Sequence, residues 1–218
     1  MIAPIIVDLQ LNINMELFFK QVLLLFVLLN PFFLSIYLID IIHELKSQHF
    51  FQVTFRASLI SSVVFIFFAI FGDFFFRYII QARFASFLIF GGIVFLIIAL
   101  KFVSSGVEAM RVFRGKPEYL ESSIAMPFMI GPGTVSASIV IGNNLTKYNA
   151  VFAILTAMGL TVFCLGIFKL IFDHLKKNNE RLIARYLDIV GRSMALITGT
   201  IAVEMIVKGI EKIFISTQ

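Results

Sequence analysis

Residues 124–141 read IAMPFMIGPGTVSASIVI, an apolar and uncharged run that proline and glycine interrupt near its middle. A run of this length and hydrophobicity is typical of a membrane-spanning helix. Gly131, Pro132 and Gly133 all disfavour a continuous helix, so we expect a helix break at membrane depth. Unwound backbone at that depth is tolerated only where protein or a wet cavity covers it. The stretch therefore predicts both a membrane fold and a site inside it.

The composition of the whole chain fits a membrane protein. Of its 218 residues, 60% are hydrophobic and 14% charged, and the mean hydropathy is +0.99; soluble domains are about 45–50% apolar and about 25% charged. A soluble enzyme and a disulfide-rich secreted protein are excluded, the latter because Cys164 is the only cysteine. The net charge of +5 comes from basic residues between the apolar runs, which indicates membrane topology rather than nucleic-acid binding.

Six apolar runs predict an all-α membrane protein with six transmembrane helices in a single integral membrane domain, residues 1–218. None of the runs alternates as a strand would. The first has no basic region before it, so it is expected to be a span and not a cleaved signal. The runs are Leu17–Ile39, Val53–Phe71 (with an extension to Ile80 left open), Phe84–Val103, Ile124–Ile141, Ala150–Phe172 and Leu187–Ile210.

Lysine and arginine favour cytoplasmic connections. The first, third and fifth connections hold or adjoin nine of these residues, against five on the opposite side. This bias predicts that both termini are periplasmic, with the protein in a bacterial inner membrane.

The two halves of the chain resemble each other. Pro31 and Ser35 in the first span match Pro132 and Ser136 in the fourth at one offset of 101 residues. A three-helix unit reverses its direction in the membrane, and such inverted repeats are a common plan of secondary transporters. We therefore expect one repeat over residues 15–106, a second over residues 122–214, and a connecting loop over residues 107–121.

The breaks in helices 1 and 4 are the candidate substrate site. Each exposes amides that attract an anion and carbonyls that attract a cation, so two facing breaks could hold a zwitterion. Hydroxyl groups just past the breaks either cap the new helix starts or contact the ligand. The candidate substrate-binding residues are Asn30, Pro31, Ser35, Gly131, Pro132, Gly133, Thr134 and Ser136.

Ionisable residues inside the apolar runs are costly and usually have a partner or a role. Lys101 and Glu204 occupy equivalent positions of the two repeats. They either pair across the pseudo-twofold axis or extend separately toward the membrane surface, and both are candidates for coupling. Glu204 is the better candidate for proton coupling because it is a titratable carboxyl. Lys169 is expected to extend its ammonium to the headgroups, and Arg192 to anchor its helix there.

No motif for catalysis or cofactor binding is present. The sequence has no GxxxxGK[ST] loop, no HExxH and no GxSxG in the spans, and no His/Cys spacing for a metal. We therefore expect no enzyme, no cofactor and no metal site.

These motifs together resemble the MarC family of bacterial six-helix inner-membrane proteins, over roughly Met15 to Phe214. The resemblance rests on Asn30-Pro31, Gly91-Gly92, residues 125–133, residues 191–194 and residues 202–205. It implies a transporter of small neutral amino acids such as alanine or glycine. The chain departs from the family at Phe32 and Phe33, where a small, glycine-containing stretch and a second proline usually follow the Asn-Pro pair.

The leading hypothesis is a secondary transporter or exporter of a small solute, in contact with membrane lipid and without a nucleic-acid partner. A non-transporting scaffold or accessory subunit is the alternative, because the two phenylalanines would narrow the cavity. A channel is disfavoured because the spans lack a ring of like charges. The sequence is also compatible with a homo-oligomer.

Overall fold

The computed structural model describes residues 2–38, 42, 45–106, 129–175 and 180–215, and every regular element in these ranges is a helix. The all-α prediction is confirmed at this level. In chain order the helices are α1 (Ile2–Leu29), α2 (Pro31–Tyr37), α3 (Ser47–Phe74), α4 (Phe84–Ser105), α5 (Pro132–Asn144), α6 (Lys147–Leu175) and α7 (Glu180–Ile215). A π-helical segment (Phe75–Ile80) continues α3.

Five helical segments within the described residues are long and apolar enough to cross a membrane: Met15–Ile36, Ser47–Ile80, Phe84–Ser105, Lys147–His174 and Asp188–Phe214. They coincide with five of the six predicted spans. The remaining predicted span is the fourth, of which α5 covers 13 residues. This is roughly 20 Å of helix, whereas a hydrocarbon core is about 30 Å thick. Residues 124–128 and the connecting loop 107–121 lie outside the described residues, so the six-span count stays a prediction.

Several helices extend further than hydropathy indicates. The second span begins at Ser47 instead of Val53, and α7 begins at Glu180 instead of Leu187. The end of the second span at Ile80 agrees with the longer of its two predicted ends. Only Leu145 and Thr146 separate α5 from α6. Hydropathy marks only the hydrocarbon layer, whereas helices continue through the headgroup regions, which bring the bilayer to about 40–45 Å.

Large apolar side chains cover much of the outer surface. Phe55, Val63 and Phe163 are each more than 60% exposed. Soluble monomers rarely expose such extended apolar surfaces, so these faces fit contact with lipid chains.

Helices α4 and α7 pack antiparallel along a seam of small residues, as membrane helices commonly do. A Cβ atom on Gly92 would lie 2.6 Å from the Ala202 carbonyl oxygen, and one on Gly209 would lie 2.8 Å from the Ala85 carbonyl oxygen. Gly199 faces the Ala99 methyl group. The two backbones therefore touch along most of the seam.

Helix α5 lies at the centre of the bundle, against α1, α3, α4 and α6. Residues 133–139 of α5 are all buried, and Gly142 packs against the Ala69 carbonyl of α3. The most central helix is thus the one that begins at Gly131-Pro132.

Candidate substrate site

The start of α5 is a tightly hydrogen-bonded turn. Gly131 is extended (φ −104°, ψ 166°) and precedes Pro132, the first residue of the helix. The fully buried Thr134 hydroxyl accepts a hydrogen bond from the Gly131 amide at 3.0 Å. It lies 2.7 Å from the Met129 carbonyl and 2.9 Å from the Gly131 carbonyl, to either of which it can donate its single proton. Of the two roles predicted for Thr134, these hydrogen bonds correspond to capping the start of α5.

A comparable turn separates α1 from α2. Asn30 is left-handed (φ 44°, ψ 72°), a conformation that asparagine tolerates better than most residues. Its side-chain oxygen accepts from the Phe33 amide at 3.2 Å, and Pro31 is the first residue of α2. Proline provides no amide hydrogen, so one carbonyl of the last turn of α1 loses its helical donor.

The two matching serines bond to their own helices. Ser35 donates to the Phe32 carbonyl and Ser136 to the Pro132 carbonyl, both at 2.7 Å. Their oxygens keep lone pairs as acceptors, but Ser35 is buried and lines neither of the two cavities described next.

A cavity of about 460 Å³ lies between α1, α4, α5 and α7. Gly133 and Ser136 form part of its α5 wall, and Glu204 lies on its α7 wall. The structure thus brings two residues of the predicted helix-break site together with Glu204, the predicted coupling candidate. The remaining walls are largely apolar, with Leu24, Val27 and Leu28 from α1 and Leu88 from α4.

The polar part of this cavity is an ion pair. The Lys208 Nζ lies 3.1 Å from the Glu204 Oε1, and the two side chains are 60% and 58% exposed. Lys208 and Thr200 also line the cavity but were not predicted. The i, i+4 spacing of Glu204 and Lys208 was the available signal.

Lys101 lies at a different depth from Glu204. Gly92 faces the backbone of Ala202 and Ile206, so Glu204 is level with residue 92 of α4. Lys101 is nine residues further along the helix, roughly 14 Å along its axis. Of the two alternatives for these residues, this offset disfavours a pair across the pseudo-twofold axis.

Asn30 lines a separate, smaller cavity of about 40 Å³ together with Phe33, Phe95 and Thr198. Leu28 lines both cavities, and the Phe95 ring edge lies 2.8 Å from the place of a Cβ on Gly133. Leu28 and Phe95 therefore stand between the turn at Asn30 and the start of α5, which do not share one open space.

The prediction that the Lys169 ammonium extends to the headgroups is wrong. It is only 2% exposed, and its Nζ lies 2.6 Å from both the Ile42 carbonyl oxygen and the Asp173 Oδ1. The Asp173 Oδ2 accepts from the Ser47 hydroxyl at 2.7 Å. This network connects α6 with the start of α3, and only the i, i+4 spacing of Lys169 and Asp173 hinted at it.

Arg192 also bonds within the protein. It donates to the Val103 carbonyl at 2.9 Å and to the Asp188 carboxylate at 3.0 Å, which caps the end of α4 where Gly106 turns with φ 61°. Among the described residues, no group of three or more His, Cys, Asp or Glu side chains is placed to hold a metal ion.

Comparison with known proteins gives a consistent result. A family model described as "MarC family integral membrane protein" matches residues 15–214. A UPF0056 membrane protein of Aquifex aeolicus is 27% identical over 157 residues, which cover 67% of this chain and 72% of that protein. The UPF0056 membrane protein MJ1677 of Methanocaldococcus jannaschii is 28% identical over 200 residues, covering 85% and 92%. The UPF0056 membrane protein YhcE of Escherichia coli is 28% identical over 142 residues, covering 59% and 62%. No solved structure is significantly similar to the chain.

Proposed function

Given that the chain belongs to the MarC family of integral membrane proteins, we propose that it is a secondary transporter of a small solute in the bacterial inner membrane. The observation that carries this proposal is the cavity of about 460 Å³, which places Gly133, Ser136 and Glu204 around one space. Such a space, bounded by broken and continuous helices, is typical of solute sites in secondary transporters.

The ion pair in the cavity favours a zwitterion, and hence a small neutral amino acid, as the solute. Glu204 can bind an ammonium group and Lys208 a carboxylate. Both side chains are more than half exposed, so a solute that enters the cavity can reach both charges. A zwitterion that binds both partners replaces that interaction with two others.

The two helix starts support an inverted-repeat mechanism. Pro31 and Pro132 each occupy the first position of a helix, and Ser35 and Ser136 each donate to a carbonyl one turn earlier. In this proposal α1 and α5, one from each repeat, move against the packed pair α4–α7, and Leu28 and Phe95 block passage between the cavities in the state described. Both termini are periplasmic in this arrangement, which a reporter fused to the C-terminus and active only in the cytoplasm would contradict.

The test is counterflow of labelled alanine and glycine in liposomes, with variants that fill the cavity. Thr200 is exposed on α7 and lines the cavity, whereas Val203 is exposed on α7 and does not. T200W should abolish saturable counterflow, and the matched V203W should keep it. Leucine at Gly133 is a poorer probe, because it would also displace Phe95 and Met205.

Equal counterflow in T200W and V203W would contradict the proposed site. No counterflow of either amino acid in well-inserted wild-type protein would contradict the proposed solute class.

A non-transporting scaffold or accessory subunit is the second candidate, and Phe33 favours it. Its ring packs 5.4 Å from that of Phe102 and lines the small cavity beside Asn30. The remaining 40 Å³ or so holds about one water molecule. Purification with a stoichiometric partner, together with absence of flux, would support this function.

A further inference from the structure

A second cavity of about 700 Å³ lies beside the first, and Phe84 and Lys212 line both. Its polar lining consists of Asp73, Arg77, Gln81, Arg83 and Lys212. Three candidate spans have an end nearby, at Ile80, Phe84 and Phe214. The cavity is therefore at the level where the membrane interface begins.

Positive charge dominates this cavity, with three cations against the single carboxylate of Asp73. Neither Arg77 nor Arg83 forms an ion pair with any residue in the described part of the chain. Guanidinium groups match phosphate geometry through paired N–H donors. The cavity thus presents guanidinium donors that are not paired with a carboxylate of the described residues.

The two arginines lie on either side of a hydrogen-bonded turn. Gln81 is left-handed (φ 54°) and ends the π-helical segment, while the Ala82 amide donates to the Phe76 carbonyl at 3.2 Å. Behind the turn, the Phe76 ring packs 5.6 Å from Phe84 and 5.0 Å from Phe87. The Lys212 ammonium lies 5.0 Å above the Phe84 ring, within cation–π range. Lys212 therefore has an observed contact with the Phe84 ring, and the two arginines flank a hydrogen-bonded turn.

We propose that Arg77, Arg83 and Lys212 bind the phosphate of an anionic phospholipid headgroup. Basic pockets between membrane helices bind such headgroups. The surface beside the cavity fits the rest of a lipid, because Tyr78, Ile79 and Ile80 are each at least 46% exposed and aromatic residues favour the interface. This site goes beyond the proposed transport, since lipid binding requires no solute flux.

Native mass spectrometry of the purified full-length protein tests the site. Phosphatidylglycerol should bind at least about tenfold more tightly than phosphatidylcholine with the same chains, because each basic residue near a lipid headgroup contributes about fivefold. R77Q/R83Q/K212Q should lose this preference. K46Q/K147Q/R185Q removes the same charge from exposed residues elsewhere and should keep it. R77K/R83K keeps the charge but loses the paired N–H donors, so it should weaken the preference less than R77Q/R83Q/K212Q does.

Three results would overturn the proposal: equal binding of the two lipids, an equal loss in the control triple variant, or displacement of phosphatidylglycerol by millimolar inorganic phosphate. The last result would indicate a site for a free anion instead. If the triple variant does not fold, R77Q and K212Q alone should each weaken phosphatidylglycerol binding about fivefold, and unchanged binding in both would be equally contrary.

Discussion

Gly91 of α4 lies directly against the ring of Pro132, at the point where α5 begins. A methyl group on residue 91 would overlap the proline Cβ and would also approach the Met205 Cε at 3.1 Å. The glycine of one predicted repeat therefore accommodates the proline of the other.

We expect G91A to destabilise the protein by about 1–3 kcal/mol, the usual cost of overpacking. Unfolding in mixed detergent micelles measures the free energy. Gly159 is the matched control because nothing lies within 4 Å of a Cβ placed there, so G159A should be neutral or slightly stabilising. A G91A protein as stable as G159A would show that the contact with Pro132 relaxes at no cost.

The Thr134 hydroxyl should stabilise the folded protein, because it both donates and accepts a hydrogen bond. We expect T134V to lose about 1–3 kcal/mol, since it leaves the buried Gly131 amide without its acceptor, and T134S to recover most of that loss. Thr156 donates to the Phe152 carbonyl on an exposed face, so T156V is the control. The unfolding free energies of the four proteins test this, and equal losses in T134V and T134S would contradict the capping role.

Asp173 should contribute to the stability of the fold, because it is the counter-charge of the buried Lys169. D173N leaves an ammonium group that is 2% exposed without its counter-charge, and we expect a loss of about 3 kcal/mol. K169M/D173N should lose less, because it removes both charges. The Lys20 and Glu16 side chains are each about two-thirds exposed, so E16Q should cost far less than D173N. A double variant less stable than D173N would contradict the explanation.

If Glu204 couples transport to protons, E204Q should flatten the pH dependence of counterflow without loss of membrane insertion. The substitution removes the titratable group from the cavity and keeps its size. Glu211 lies on the same helix but does not line the cavity, so E211Q should keep the wild-type pH profile. An unchanged profile in E204Q would eliminate Glu204 from coupling.

Five spans and both helix starts were predictable, because hydropathy, proline and glycine act locally. The burial of Lys169 was not, since a single apolar run does not show which helix face meets the Ile42 carbonyl. Nor was the separation of Lys101 from Glu204. Two residues at matching positions of the repeats lie at different depths in the membrane when their helices, α4 and α7, pack antiparallel. A hydroxyl near a helix start fits both a cap and a ligand, so only the hydrogen bonds of Thr134 assigned its role.

The glycine seam between α4 and α7 has a mechanical consequence. The close backbone approaches at Gly92 and Gly209 leave little room for sliding or rolling, so we expect the two helices to move as one unit. Across the cavity, α1 contributes only side-chain walls opposite α7. We therefore expect any widening of the cavity to displace α1 or α5, with the backbone turning at the left-handed Asn30 or at the extended Gly131.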